Sequence, residues 1–245
     1  MATINYEHEF MINESLEEAF KVLRANIHFC DPENKLRTIA ITSYSSGDGK
    51  SCVSANLSYT IAKSGMKVLF VDADLRKPIL FKKLVSKDFK GLSNFLLGNS
   101  TLEQIINKTQ IEGFDFVSCG IKTLSPGELI NSPRLGEFLV KTREIYDFVI
   151  IDTPPLGSVI DGALIASQTD AAIIVISQNK TKCNNAIMMK EQLVKANANI
   201  LGVVFNKVNK LDFRNYYGGY DYDKEKMKYS RKSLKEIKNA KRDNV

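Results

Sequence analysis

The stretch that most constrains the fold is residues 36–51, LRTIAITSYSSGDGKS. Its β-branched and apolar residues give way to a short turn that ends in Gly49-Lys50-Ser51, ahead of a helix-compatible segment. This order predicts a strand, a loop and a helix. Such a loop points backbone N–H groups and a helix N-terminus at one place, where a phosphate chain can bind. The pattern departs from G-x-x-x-x-G-K-[ST] because Tyr44 replaces the first glycine.

The loop predicts a nucleotide site with separate tasks for its side chains. The Lys50 ammonium would reach the β- and γ-phosphates, and the Ser51 hydroxyl would complete the shell of a Mg²⁺ ion. A bare Gly-Lys-Ser also occurs by chance, so the assignment depends on two carboxylate motifs elsewhere in the chain. We expect the nucleotide contacts of this loop to come from Ser46, Gly47, Asp48, Gly49, Lys50, Ser51 and Cys52.

Length and composition favour one α/β domain. A chain of 245 residues with 44% hydrophobic residues can bury a substantial core. Its four cysteines are widely spaced without a C-x-x-C pair, which argues against a disulfide framework or a zinc site and fits a reducing cytoplasm. The first residues carry no basic-then-apolar leader, and no stretch approaches the ~18 apolar residues of a membrane span.

Strand and helix patterns alternate along the chain. Apolar runs of strand length occur at residues 67–72, 114–118, 146–152, 170–177 and 200–206. Helical spacing or a helix start occurs at residues 13–28, 133–145 and 184–196. The alternation predicts an α/β fold with a mostly parallel β-sheet, flanked by helices on both faces, that binds ligands at the carboxyl ends of its strands.

Two of these strands end in aspartate at the edge where the nucleotide should bind. Asp152 follows YDFVII, and a carboxylate there can order the water shell of Mg²⁺. The structural alternative for Asp152 is a helix cap or a turn. Asp72 and Asp74 end KVLFVDAD, and two carboxylates two residues apart on an extended backbone point to the same side. They can therefore serve one site, one near the metal and the other near an incoming hydroxyl.

The charge distribution separates a body, residues 1–206, from a basic tail, residues 207–245. From Asn206 onward there are 12 basic and 6 acidic residues, which leaves 22 of each sign before it. A neutral body argues against a nucleic-acid groove, which needs clustered Lys and Arg on a structured face. We predict a tail that is mobile at least in its centre and can contact an anionic membrane or an acidic partner.

The tail is rich in tyrosine. Five of the nine tyrosines of the chain fall within 14 residues. Segments of this polar composition are normally poor in aromatic residues, so the cluster indicates a function, although a structureless appendage remains the alternative. The five are Tyr216, Tyr217, Tyr220, Tyr222 and Tyr229.

The chain resembles the bacterial protein-tyrosine kinases of capsular and exopolysaccharide synthesis, in the form whose cytoplasmic kinase is separate from its membrane activator. SGDGKS matches the Walker A segment of that family, VLFVDADLRKP its Walker A′ segment and FVIIDTPP its Walker B segment. ILGVVFNKV resembles its last strand, and the tyrosine-rich tail its autophosphorylation cluster. Related ATPases that partition DNA or position division sites (MinD/ParA-like) share this P-loop NTPase architecture. They carry a second lysine where this chain has Ser45.

The resemblance implies phosphoryl transfer from ATP to tyrosine. Lys50 would hold the phosphates, while Ser51, Asp152 and Asp74 would organise Mg²⁺. Asp72 would accept the tyrosyl proton, although the division of roles between Asp72 and Asp74 stays open. Asn206 resembles the asparagine that reads the adenine edge in related ATPases, and a simple strand-end turn is the alternative.

The resemblance also implies partners. In the family the first helix carries E-x-x-R-x-x-R for subunit contacts in a ring, and here the pattern reads Glu18, Lys21, Arg24. Lysine lacks the bidentate fork of arginine, and the alternative is a solvated helix face with weak ion pairs. A membrane-embedded polysaccharide co-polymerase would activate the kinase and hold it at the inner face of the cell membrane.

Two other functions fit the same motifs. The first is a non-kinase ATPase switch of the partitioning or positioning type, with the tail as an interaction segment. The second is a scaffold that binds nucleotide without chemistry. Labelled ATP distinguishes the kinase from the switch, because a kinase leaves label on tyrosine, whereas a switch only releases phosphate.

Overall fold

The computed structural model describes residues 14–76, 90–178 and 180–209. The chain divides into two units, Met1–Lys207 and Val208–Val245, and nearly all described residues belong to the first. The five tail tyrosines lie outside the described residues, as does the segment 77–89 after the second strand. The division into a body and a tail at residue 206 therefore stays a prediction.

A seven-stranded sheet forms the frame, in the order β3-β4-β2-β5-β1-β6-β7. All neighbouring strands are parallel except β3 and β4, which pair antiparallel. The predicted mostly parallel α/β sheet is confirmed. The strands are β1 (Thr38–Ser43), β2 (Val68–Asp72), β3 (Ile106–Lys108), β4 (Phe114–Val117), β5 (Phe148–Asp152), β6 (Ala171–Ser177) and β7 (Ile200–Asn206).

Helices cover the sheet and connect its strands. The four longer helices predicted from the sequence, including the one after the phosphate loop, are present within a few residues of the expected bounds, and several shorter ones accompany them. The helices are α1 (Glu14–Phe29), α2 (Lys50–Ala62), α3 (Leu92–Leu96), α4 (Leu102–Ile105), α5 (Pro126–Ile130), α6 (Pro133–Arg143), α7 (Asp161–Ala166) and α8 (Cys183–Lys195). In the part of the chain that the structure describes, no helix is both long and apolar enough to span a membrane.

The core consists of two apolar layers, one on each face of the sheet. Successive residues of β2 alternate between them, with Leu69 and Val71 in one layer and Val68 and Phe70 in the other. This is the period-two alternation of a strand covered on both faces. The Phe70 and Phe116 rings stack at 6.1 Å between centroids. Such a doubly covered sheet holds the carboxyl ends of its central strands rigidly beside one another.

Candidate functional site

The phosphate loop runs from the end of β1 to the start of α2. Positive φ angles occur at Gly47 (82°) and Gly49 (96°), the second of which is the N-cap of α2. A Cβ at Gly49 would lie 2.1 Å from Asn206 Nδ2, so no larger residue fits without a shift. Tyr44 has no positive φ, which explains why the loop tolerates it where the usual motif has glycine.

Lys50 and Ser51 begin α2 and face the end of β5. Lys50 is 5% exposed, and its Nζ lies 4.0 Å from Asp152 Oδ2 and donates to Ser51 Oγ at 3.3 Å. The buried Ser54 hydroxyl donates to Lys50 O at 2.8 Å and lies 3.3 Å from Asp152 Oδ1. Residues from the loop and from a strand about a hundred positions later therefore meet at one point.

The two aspartates after β2 belong to the same cluster. Asp72 pairs in register with Asp152 on the neighbouring strand, and both are almost completely buried. The Asp74 N–H donates to Asp72 Oδ1 at 3.1 Å, and the Arg76 N–H donates to Asp74 Oδ1 at 3.2 Å. The turn after β2 thus joins Asp72 and Asp74 to the cluster, because the charge of Asp74 acts on the pKa of both Asp72 and Asp152, and the charge of Lys50 acts on that of Asp72.

Burial shapes the electrostatics of this cluster. It raises the pKa of Asp72 well above its usual value, and the charges of Asp152 and Asp74 add to the rise. Burial also raises the pKa of Asp152 to about 6, although Lys50 opposes the shift. Three carboxylates face one ammonium, a surplus of negative charge that a divalent cation would offset.

The donor set fits Mg²⁺ bound mainly through water. No three His, Cys, Asp or Glu side chains within residues 14–76, 90–178 and 180–209 are close enough to hold a metal ion directly. Mg²⁺ retains several waters and takes few protein ligands beside nucleotide phosphates. The Ser51 hydroxyl would supply the direct protein ligand, and the carboxylates of Asp74 and Asp152 would accept hydrogen bonds from the metal-bound waters.

We expect Asp152→Asn to stabilise the nucleotide-free protein at pH 7.5. The folded pKa lies above the unfolded one, so ionisation of Asp152 destabilises the fold at pH 7.5, and this cost fades as the pH falls through about 6. A rise from 3.8 to about 6 corresponds to up to about 3 kcal/mol. The cost vanishes only near the unfolded pKa of 3.8, so urea unfolding at pH 7.5 and at about pH 4 measures the gain and its loss at low pH.

Asp115→Asn is the matched control for Asp152→Asn. Asp115 is also buried, but it is the second residue of β4, near the amino end of that strand, and it accepts hydrogen bonds from Lys108 Nζ at 2.6 Å and Tyr146 OH at 2.7 Å. Its replacement should destabilise the fold by about 1–2 kcal/mol. A loss of stability in Asp152→Asn at pH 7.5 would contradict the expected cost.

Asn206 ends β7 beside the phosphate loop. Its Nδ2 donates to Asp48 O at 3.0 Å, and its Oδ1 accepts from the Lys207 N–H at 2.8 Å. In this structure the Asn206 amide therefore braces the loop, while contact with adenine stays a prediction. Ser46 and Gly47 in the same loop and Cys52 in the first turn of α2 are exposed.

The charged residues of α1 make mostly local contacts. Lys21 Nζ lies 3.2 Å from Glu17 Oε1 and 3.2 Å from Glu18 Oε1. Arg24 Nη1 donates to Thr60 O on α2 at 3.5 Å. The side chains of Glu18 and Lys21 are exposed, and surface pairs of this kind add little stability. Both residues are therefore accessible to a partner, and the subunit contact itself stays a prediction.

The sequence analysis missed several groups at this edge. Lys180, after β6, donates to Ser46 O at 2.7 Å, and Lys207, after β7, donates to Gly47 O at 2.7 Å. Arg76 forms a two-pronged ion pair with buried Asp161, with Nε–Oδ2 at 2.8 Å and Nη2–Oδ1 at 3.1 Å. The position of each after a parallel strand was a signal, because such residues share one edge.

Comparison with known proteins agrees with this geometry. The family model described as an AAA domain matches residues 36–200. The tyrosine-protein kinase CpsD of Streptococcus agalactiae is 36% identical over 208 residues, covering 82% of this chain and 89% of the relative. The chain belongs to the bacterial tyrosine-protein kinases. The resemblance inferred from the sequence motifs is thereby confirmed.

Solved structures of a tyrosine kinase and of a related ATPase have a similar fold. The kinase domain of the Escherichia coli tyrosine kinase ETK is 32% identical with a TM-score of 0.77, covering 80% of this chain and 77% of that one. The septum site-determining protein MinD of Pyrococcus horikoshii, complexed with Mg-ADP, is 30% identical with a TM-score of 0.61, covering 71% and 72%. The predicted P-loop NTPase architecture is confirmed.

Proposed function

We propose that this bacterial tyrosine-protein kinase transfers a phosphoryl group from Mg-ATP to the tyrosine cluster of its own tail. The observation that carries the proposal is the meeting of Lys50, Ser51, Asp72, Asp74 and Asp152 at the carboxyl ends of adjacent strands. A cation, a hydroxyl and buried carboxylates at one point are what phosphoryl transfer requires for positioning and charge stabilisation.

The residues divide the work by their chemistry. The loop N–H groups and Lys50 hold the phosphates, and Ser51, Asp74 and Asp152 orient Mg²⁺, which when bound neutralises charge on the phosphates. Asp72 accepts the tyrosyl proton. Its raised pKa makes it a stronger proton acceptor than an ordinary carboxylate.

The proposal treats residues 1–206 as the kinase domain and residues 207–245 as its substrate segment. Each phosphate adds about −1.5 to −2 charges, so five would add about −7.5 to −10. A segment with 12 basic and 6 acidic residues would become negative. We propose that this reversal expels the tail from the site and loosens a ring of subunits held by Glu18, Lys21 and Arg24.

The proposal includes control of capsular or extracellular polysaccharide synthesis through a membrane-embedded polysaccharide co-polymerase. The E. coli structure is the kinase domain of a tyrosine kinase, so that kinase has segments outside the domain. This supports a partner that provides the corresponding segments here. We propose that this co-polymerase activates the kinase and holds it at the inner face of the cell membrane. We propose no nucleic-acid partner.

Labelled ATP tests the proposal against an ATPase switch, the second candidate, which the similarity to MinD favours. With the co-polymerase segment present, the proposal expects label on tail tyrosines, located by mass spectrometry. Phosphate release without any phosphotyrosine would support the switch. Neither label nor phosphate release, with nucleotide bound, would indicate a scaffold.

A mixing experiment tests transfer between subunits. A Lys50→Met chain with an intact tail is combined with an active chain whose five tail tyrosines are phenylalanine. We expect phosphate on the Lys50→Met chain. Absence of phosphate there would exclude transfer between subunits and favour transfer within one chain. The length of the tail allows such transfer, because the ten residues from Asn206 to Tyr216 can span up to ~33–36 Å.

A further inference from the structure

Side chains from two neighbouring strand ends hold three successive carbonyls of the phosphate loop. Lys180 Nζ donates to Ser46 O at 2.7 Å, Lys207 Nζ to Gly47 O at 2.7 Å, and Asn206 Nδ2 to Asp48 O at 3.0 Å. Because the C=O and N–H of one peptide unit point in opposite directions, holding the Ser46 and Asp48 carbonyls also fixes the directions of the Gly47 and Gly49 N–H groups, while the Asp48 N–H donates to Ser45 O at 3.4 Å.

The loop also contains a buried negative charge of its own. Asp48 is 1% exposed, and its Oδ2 accepts the Ser45 N–H at 2.8 Å. Its Oδ1 is buried without a hydrogen-bond partner among the described residues, and it forms an ion pair with Lys180 Nζ at 3.7 Å. A buried carboxylate within a phosphate-binding loop repels the ligand unless a cation offsets it.

We propose that Lys180 is a positioning residue, which offsets the charge of Asp48 and holds the Ser46 carbonyl so that the loop accepts the triphosphate. The inference rests on the proposed function, since it concerns the same nucleotide site. Lys180 acts through the loop and not by touching the nucleotide, because its ammonium is already engaged by Ser46 and Asp48. A Cβ at Gly47 would lie 3.0 Å from Lys180 Nζ, so a larger residue at position 47 would crowd the ammonium that holds the loop.

A double-mutant cycle on the full chain tests this role. Lys180→Gln removes the charge and shortens the side chain by only one heavy atom, and it should weaken Mg-ATP binding about tenfold, or about 1.4 kcal/mol. Asp48→Asn alone should tighten binding by about twofold to fivefold, because it removes the repelling charge and leaves Lys180 in place. In the Asp48→Asn background, Lys180→Gln should weaken binding less than about threefold, well below its tenfold effect in the wild-type chain, because the charge that Lys180 offsets is then absent.

Two further variants separate charge from fold. Lys180→Arg keeps the charge and should retain wild-type affinity to within about threefold. Lys182→Gln removes an exposed lysine two positions later and is the matched control, with no expected effect. Titration calorimetry with Mg-ATP gives the dissociation constants. Steady-state kinetics should show that Lys180→Gln raises KM for ATP while kcat changes less than about twofold.

The outcomes separate this inference from the proposed function. If Lys180→Gln weakened binding as much in the Asp48→Asn background as in the wild-type chain, the inference would be overturned, because Lys180 would then act on something other than Asp48. A fall in kcat larger than the rise in KM would also overturn it. A wild-type chain that binds Mg-ATP without forming phosphotyrosine would refute the kinase proposal, while the binding cycle would still decide the role of Lys180.

Discussion

Lys50→Met should weaken Mg-ATP binding by about 10²- to 10³-fold and reduce tail phosphotyrosine below detection. The Lys50 ammonium is 5% exposed and lies 4.0 Å from Asp152 Oδ2. Its removal leaves the buried carboxylates of Asp72, Asp74 and Asp152 without that cation beside a highly charged ligand. An unpaired buried charge costs several kcal/mol, more than the loss of an ordinary hydrogen bond.

The matched control for Lys50→Met lies at the other end of the same helix. Lys63 is exposed, and its Nζ lies 5.4 Å from the centre of the Tyr59 ring. Lys63→Met should bind Mg-ATP as the wild-type chain does. Titration calorimetry and a phosphotyrosine blot compare the two variants. If both variants kept full affinity, the assignment of Lys50 to the phosphates would be wrong.

The sequence predicted those parts of the site that strand ends determine directly. Asp72 and Asp152 each follow a continuous apolar run, and in a parallel sheet such ends meet at one edge. The register of the structure sets these two residues opposite each other. A strong local pattern together with one topological rule was therefore enough to predict the cluster of carboxylates before any coordinates.

The rest of the site depends on strand order, which local patterns do not contain. Lys180 and Lys207 reach the loop because β6 lies next to β1 and β7 next to β6. Nothing in the residues around either lysine specifies those neighbours. Likewise the hydrogen bond that the Asn206 amide donates to Asp48 O follows from the position of β7 beside the loop, and the contact of Asn206 with adenine stays a prediction.

The short elements were predicted only in part. The helical spacing of LSNFLL and LEQII predicts two short helices, which are present as Leu92–Leu96 and Leu102–Ile105, but it gives no sign of the antiparallel edge strand β3 at Ile106–Lys108. A three-residue strand carries too little periodicity to be recognised, and its pairing with β4 determines its conformation. The tertiary partner therefore decided the conformation where the local pattern was weak.

Asp72→Asn should reduce the rate of tyrosine phosphorylation by about 10²- to 10⁴-fold while Mg-ATP binding changes less than about threefold. Asparagine has nearly the same shape and still offers an oxygen to the Asp74 N–H, which donates to Asp72 Oδ1 at 3.1 Å. It lacks a basic oxygen for the tyrosyl proton. Single-turnover phosphorylation of a tail peptide at saturating Mg-ATP measures the chemical step separately from binding.

Asp74→Asn tests which of the two residues, Asp72 or Asp74, accepts the tyrosyl proton and which one orients Mg²⁺. Asp74 should mainly affect Mg²⁺, so this variant should need about tenfold more Mg²⁺ for half-maximal rate and regain most activity at high Mg²⁺. Asp72→Asn should not regain activity there, because added metal does not replace a proton acceptor. If Mg²⁺ restored Asp72→Asn and not Asp74→Asn, the two roles would be exchanged.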